Sequence, residues 1–414
     1  MRIAWFSPLP PDRSGVADYN AELLAQLVGT FEIDRYPERA AHDFVWRSQR
    51  RPYDLVVYHL GNAACHDYMW AYLVRYPGLV VLHDARLHHA RARGLLDRKR
   101  IAEYREEFHY DHPAADPAVT QFAIEGLGGP LYYLWPMVKI VTETARIVAV
   151  HSPWVAADLR AAHPSARVET IRMGVPSLPA SRGGRTEIRR RLALPDHAVV
   201  FAAFGKITAE KRVPAILTAM EALVREGRPV FAMLVGDAEG YPTLAREIAA
   251  RGLDDRVRVT GHVADGAIGD HLAAADVCLC LRWPTALETS ASWLRCLAAG
   301  RATVISDLAH LADIPIRVSA RVDPAEEPSA LLDVMRHLVD DAAWRESLAA
   351  NGHAYWRESH TLGTMTSDYE RLLPVAASRR ASSPADLPAH FLADYSGSAM
   401  EVIRHVGVRA NVLR

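Results

Sequence analysis

The chain has 414 residues, enough for two large domains, and its 48 Lys and Arg nearly balance its 49 Asp and Glu. That balance excludes a generally basic nucleic-acid binder and an acidic solvating chain. No apolar run approaches the length of a membrane span, and the short apolar start is followed at once by prolines, so a cytoplasmic protein is expected.

The elements alternate from the start. Residues 1–7 form an apolar run, the turn PLPPDRSG follows, and ADYNAELLAQLV has helical periodicity. Residues 53–60, 78–83 and 146–151 are further short apolar runs closed by polar residues. They are too apolar for half-exposed strands and too short for buried helices. A parallel sheet covered on both faces explains them. Residues 85–140 contain no convincing strand and are expected to be a helical insertion. Residues 168–175 are the last strand-like element before Pro176 and Pro179, and the basic stretch SRGGRTEIRRR is expected to connect two domains.

The pattern then restarts. Residues 198–204 open a second sheet, continued by 231–235, 257–260, 277–281 and 302–306. The expected fold class is α/β, with two facing Rossmann-like doubly wound domains at 1–176 and 186–373. A tail follows at 374–414, read as a linker with a short helix over 389–406. Cys65, Cys278, Cys280 and Cys296 lack zinc-ribbon spacing, and Cys278 and Cys280, on one face of a strand, are expected to be core thiols. His88 and His89 lack the spacing of a metal site and are expected in helix-surface or interdomain packing.

Four segments can carry chemistry. Gly15 lies in a turn between a strand and a helix N-terminus, where backbone N–H groups attract anions; no dinucleotide fingerprint or P-loop accompanies it. His83, beside Asp84, falls at the carboxyl end of a strand, where open α/β sheets bind ligands. Lys206 and Lys211 in FGKITAEKR are close enough in sequence to reach one diphosphate if the loop closes over it. Glu288, Thr289 and Ser290 are cap-type residues opening a helix over 289–299, again an anion-attracting terminus. Each segment also has a bland reading as an ordinary turn, a packing histidine, a solvated lysine pair or a dipole-complementing acid.

Taken together and in order, PLPP..SGVADY, LHD, VHSPWVAADL, IRMGVP, FGKITAEKR, LVGD, VTGHV, AAADVCLCLRWP and ETSASWLRCLAAGRATVISD resemble the retaining glycosyltransferases of family four, the "group 1" set with the GT-B fold. The resemblance covers roughly residues 1–373. It implies a nucleotide-diphospho-sugar donor held mainly by the C-terminal domain, and an acceptor hydroxyl on the N-terminal one. It implies donor contacts at Gly15, Gly205, Gly261, His262, Thr289 and Ser290, with His83, Lys206, Lys211 and Glu288 as catalytic residues. No cofactor and no divalent metal are implied, since the lysines and the helix dipole replace a metal. The family often carries two glutamates in its last motif; here Leu287 and Arg295 stand at those places, and Glu288 is one position later than the first.

The expected function is therefore transfer of a sugar with retained configuration to an acceptor whose class the sequence leaves open. The alternatives are a nucleotide-sugar-binding protein without turnover and a related epimerase. The apolar segment GLGGPLYYLWPMVKIV is expected to pack against the first domain; an acceptor groove or a peripheral membrane contact are its other readings.

Overall fold

A computed structural model describes residues 1–327, 329–382, 384 and 386–393. Its N-terminal sheet comprises β1 (Arg2–Phe6), β2 (Glu32–Arg35), β3 (Leu55–Leu60), β4 (Leu79–Leu82), β5 (Ile147–Val150) and β6 (Val168–Thr170). The C-terminal sheet comprises β7 (Val199–Phe204), β8 (Val230–Val235), β9 (Val257–Gly261), β10 (Val277–Cys280), β11 (Ala302–Ser306) and β12 (Ala320–Val322). All pairings within both sheets are parallel. The fold is α/β with two Rossmann-like domains, as the alternating pattern predicts. β3, β4, β5 and β8 are buried at every residue, which accounts for their largely apolar sequences.

The strand orders are β2-β1-β3-β4-β5-β6 and β12-β11-β10-β7-β8-β9. The second is the order of a doubly wound nucleotide-binding sheet, with its switch point between β7 and β10. In the first sheet the order reverses between β1 and β3. Ligands bind beyond the carboxyl ends of strands at such points, so topology alone directs attention to the segments after β1, β3, β7 and β10.

The insertion is helical, as expected. Five helices, His88–Leu96, Ile101–Asp111, Ala118–Ile124, Leu131–Leu134 and Lys139–Thr144, separate β4 from β5. The GLGGPLYYLWPMVKIV segment divides its burial. Met137 joins Phe108 and Tyr104 in the insertion's own core, whereas Val138, Ile140 and Val141 enter the core of the first domain. Leu127 and Leu134 are exposed.

Three expectations need correction. The basic stretch after residue 180 is no simple connection: Gly184–Arg191 is a helix, and Arg189 is buried with Nη2 2.7 Å from Asp276 Oδ2. Its charge reads as solvated only until its partner, distant in sequence, is known. Residues 168–175 form a strand only as far as Thr170; Val175 makes an isolated bridge with Thr361 instead. Pro374 starts no tail, because the helix Leu362–Ser378 runs through it. The expected helix over 389–406 lies mostly outside the described residues, whose last helical turn is Ala389–Leu392.

The helix Leu362–Ser378 ties the halves together. Its Met365, Tyr369, Leu372 and Leu373 share one core with Trp5 and Leu23 of the first domain and with Trp293 and Leu297 of the second. The Tyr369 and Tyr19 hydroxyls are 2.8 Å apart. Gly174 lets the two crossing segments touch: a Cβ there would lie 2.2 Å from the Thr361 carbonyl oxygen.

Candidate active site

The C-terminal side of the cleft is built on the switch point. β7 ends at Phe204, and Gly205 turns the chain with φ +89°, a conformation that favours glycine. A side chain there would also be crowded, since its Cβ would lie 2.9 Å from Lys211 Nζ and 3.3 Å from Ser292 Oγ. Lys211 donates back to the Phe204 carbonyl. Burial, with Arg282 adding like charge, lowers its ammonium to about 7. Lys206 is exposed and leans beside Gly240. The structure therefore separates the two lysines by environment: one is held inward at the switch point and one faces solvent.

After β10 the chain passes Arg282 and reaches a tight loop. Glu288 accepts from Thr285 Oγ1 and from the Ala286 N–H, both at 2.9 Å, and pairs with Arg282 Nε at 2.9 Å. Its carboxylate thus organises its own loop. Leu287 sits at φ +64°, which costs a leucine roughly 1–2 kcal/mol. Strain of that kind persists where surrounding contacts over-determine it, often at functional sites. Here those contacts are the Glu288 bonds and the packing of Leu287 against the N-terminal core. Ser290 caps the helix Ala291–Ala298, accepting from the Trp293 N–H at 3.2 Å. The free N–H groups of that first turn, with Lys211 and Arg282, can hold an anion.

The N-terminal side is lined by strand ends. His83 follows β4, and its Nε2 lies 3.0 Å from Nδ1 of His59 on β3. The edge of the Tyr19 ring packs on His83, with centroids 4.9 Å apart. Tyr19 belongs to the helix Gly15–Leu27, whose exposed first residue is Gly15 and whose cap is Ser14. Asp84 accepts from the Asn62 N–H at 2.6 Å; burial and the nearby Glu288 raise its carboxyl to about 7.

The two sides meet closely. Ala85 N–H donates to the Ala286 carbonyl at 2.9 Å. His83, His151, Leu287 and Thr289 line one narrow gap between the domains. The structure thus brings together His83 and Thr289, and separately Gly205 and Lys211. Gly261 and His262 lie at the end of β9, with Gly261 at φ +69°; Gly261 bridges Gly236, where a Cβ would lie 2.2 Å from the Gly205 carbonyl oxygen, so this end adjoins the switch-point turn. Among the described residues, no group of three or more His, Cys, Asp or Glu is arranged to hold a metal ion. No helix among them is long and apolar enough to cross a membrane.

Arg295 has a different use from the glutamate it replaces. Its guanidinium pairs with Glu22 of the helix Gly15–Leu27 at 2.6 Å, across the domain interface. Both side chains are partly buried, so the pair is expected to couple by about 1 kcal/mol. A double-mutant cycle of Glu22→Gln and Arg295→Gln, read by chemical denaturation, checks this. Additive effects would show that the pair holds nothing.

His59, His66, His151, Asn62, Arg282 and His310 are cleft or near-cleft groups that local sequence reasoning passes over. Their one legible signal is position, since His59 is the penultimate residue of its strand and His151 closes an apolar run. His88 is not at a surface: it is buried and bonded to the Tyr104 hydroxyl at 2.7 Å.

The histidines impose a pH dependence on stability. Burial holds His59 and His83 well below the usual imidazole range, and His66 and His151 at about 4. Unfolded histidines titrate near 6.5, so below that pH the unfolded chain takes up protons the folded protein refuses. The stability these groups contribute is whole above about 6.5 and is lost on acidification, by up to about 1.4 kcal/mol per group per pH unit. Asp84, and Asp111, raised by burial to about 6, act in the opposite direction but are outnumbered. The denaturation midpoint is expected to fall between pH 7 and pH 5. A midpoint that held or rose would contradict the assignment of neutral buried imidazoles.

The fold is that of the GT-B glycosyltransferases. The structure of HepE from Anabaena in complex with UDP superposes with a TM-score of 0.62 at 15% identity, covering 91% of this chain and 100% of that one. Sucrose-phosphate synthase from Thermosynechococcus elongatus superposes with a TM-score of 0.65 at 16% identity, covering 91% and 98%. Residues 198–341 match the family Glycosyl transferases group 1. The matched residues lie within the C-terminal domain, and the family is the set that the ordered motifs resemble. An α-D-kanosaminyltransferase from Streptomyces kanamyceticus is 31% identical over 169 residues. That region spans 40% of this chain and 43% of the relative's length.

Proposed function

We propose that the protein transfers a sugar from a nucleotide-diphospho-sugar to an acceptor hydroxyl, with retention and without a divalent metal. One observation carries the reading: Lys211, Arg282 and the Ser290-capped helix start flank the C-terminal switch point, while His83 faces Thr289 from the other domain. Fixed cations and helix N–H groups stabilise charge where a diphosphate leaves. The bond from the anomeric carbon to the phosphate oxygen breaks, and a bond from that carbon to the acceptor oxygen forms on the same face. The acceptor proton passes to the departing diphosphate. In this reading Gly15 and Gly205 give the phosphates backbone access, Gly261 and His262 meet the base, Lys206 closes over the donor from solvent, and Glu288 keeps the sugar-facing loop in shape. The relative named for kanosaminyl transfer supports the reaction class, and the HepE structures with UDP and UDP-glucose support the donor class.

Leu287 and Arg295 motivate a second reading, nucleotide-sugar binding without turnover. Calorimetry with a panel of nucleoside diphosphates, followed by donor consumption with and without sugar acceptors, separates the two. Binding together with consumption supports transfer, whereas binding alone supports the second reading.

A further inference from the structure

We propose that His151 is a second cleft histidine for the same reaction, its Nε2 accepting a hydrogen bond from a sugar hydroxyl brought between the domains. This rests on the transfer reading above. The ring's tautomer is fixed by its surroundings. Nδ1 lies 2.9 Å from the Ile171 carbonyl oxygen, and a carbonyl only accepts, so Nδ1 carries the proton. Burial keeps the imidazole neutral at pH 7, which leaves Nε2 as a lone-pair acceptor. That nitrogen is buried, on a residue only 6% exposed, and meets no protein donor.

Buried polar atoms are nearly always paired, and an orphaned acceptor costs about 1–3 kcal/mol. A purely structural residue at this place would be better apolar. The ring lines the interdomain gap beside His83, with centroids 5.2 Å apart, opposite Leu287 and Thr289. Neither His83 nor Thr289 bonds this nitrogen, and Leu82, Ala85, Val150 and Val155 complete the wall with apolar side chains, which leaves Nε2 available to a ligand hydroxyl. A neutral acceptor among neutral imidazoles and aliphatic groups suits a hydroxyl, whereas a cation would be desolvated there. His59 Nε2 is also unpaired, but its ring does not line the gap.

The test compares His151→Phe, which deletes the acceptor atom, with His151→Gln, whose amide oxygen can replace it. UDP affinity is read by calorimetry, and UDP-glucose consumption is followed with and without added glucose. The expected result is UDP affinity within about threefold of wild type in both variants, consumption at least about tenfold lower in the Phe variant, and recovery in the Gln variant. A loss shared by hydrolysis and transfer places the hydroxyl on the donor sugar; a loss confined to transfer places it on the acceptor. Equal consumption by wild type and His151→Phe overturns the proposal, as does a Gln variant no better than Phe. Failure of the wild type to bind any nucleoside diphosphate of the panel, or to consume any of its sugar donors, would instead bring down the donor reading on which the proposal rests.

Discussion

Lys211→Met is expected to lower kcat/KM by about 10–1000-fold, the range for losing a few kcal/mol of leaving-group stabilisation. The position of the ammonium sets this expectation. It is turned in on the Phe204 carbonyl, crowded against Gly205, and near Arg282. Desolvation and that second cation bring it to about 7, so at neutral pH it is about half charged without a ligand. A diphosphate arriving beside it favours the charged form. UDP binding at pH 7 should therefore take up as much as about half a proton at this group, seen as a buffer-dependent binding enthalpy. Lys211→Met should remove that uptake along with the turnover. The unliganded fold should not suffer. Between about 7 and 10.5 the unfolded chain holds a proton that folded Lys211 releases, so this group's cost to stability shrinks as pH rises. Unchanged turnover and unchanged proton uptake would make Lys211 a structural strut for its loop.

His83→Ala is expected to lower kcat by about 10–100-fold while leaving UDP affinity within about threefold. His83 faces Thr289 across the gap, on the opposite domain from Lys211, so its contacts favour the reacting sugar over the nucleotide. It is held neutral far below pH 6.5, with burial the largest cause and His151 and His59 adding like charge. Its part is therefore hydrogen bonding rather than acid catalysis, and His83→Ala should leave the shape of the pH–rate profile unchanged. His83→Asn, which keeps a polar group, should retain more activity than Ala. Weakened UDP binding with unchanged kcat would remove His83 from the reacting centre.

Much of this was legible in the residues, for definite reasons. Strands covered on both faces, such as β3 and β8, announce themselves as apolar runs. β2 (EIDR) and β12 (ARV) do not, because they are short edge strands carrying charge. Gly15, His83, Lys211 and Thr289 could be nominated because each follows a strand or opens a helix. Long-range pairing was out of reach. Arg189 looks solvated until Asp276 is seen, and Arg295 looks like a missing glutamate until Glu22, 273 residues away, closes on it. The histidine group was hidden in the same way. His59, His83 and His151 sit on or just after β3, β4 and β5, which only the sheet order makes neighbours.

The most direct measurement of the central claim is nucleoside diphosphate release from a panel of nucleotide-diphospho-sugars, comparing wild type with Lys211→Met and assigning the product anomer by NMR. Release from at least one donor is expected, faster with a sugar acceptor present, with retained configuration and at least a tenfold loss in the variant. Donor binding without release, or equal release by Lys211→Met, would contradict it.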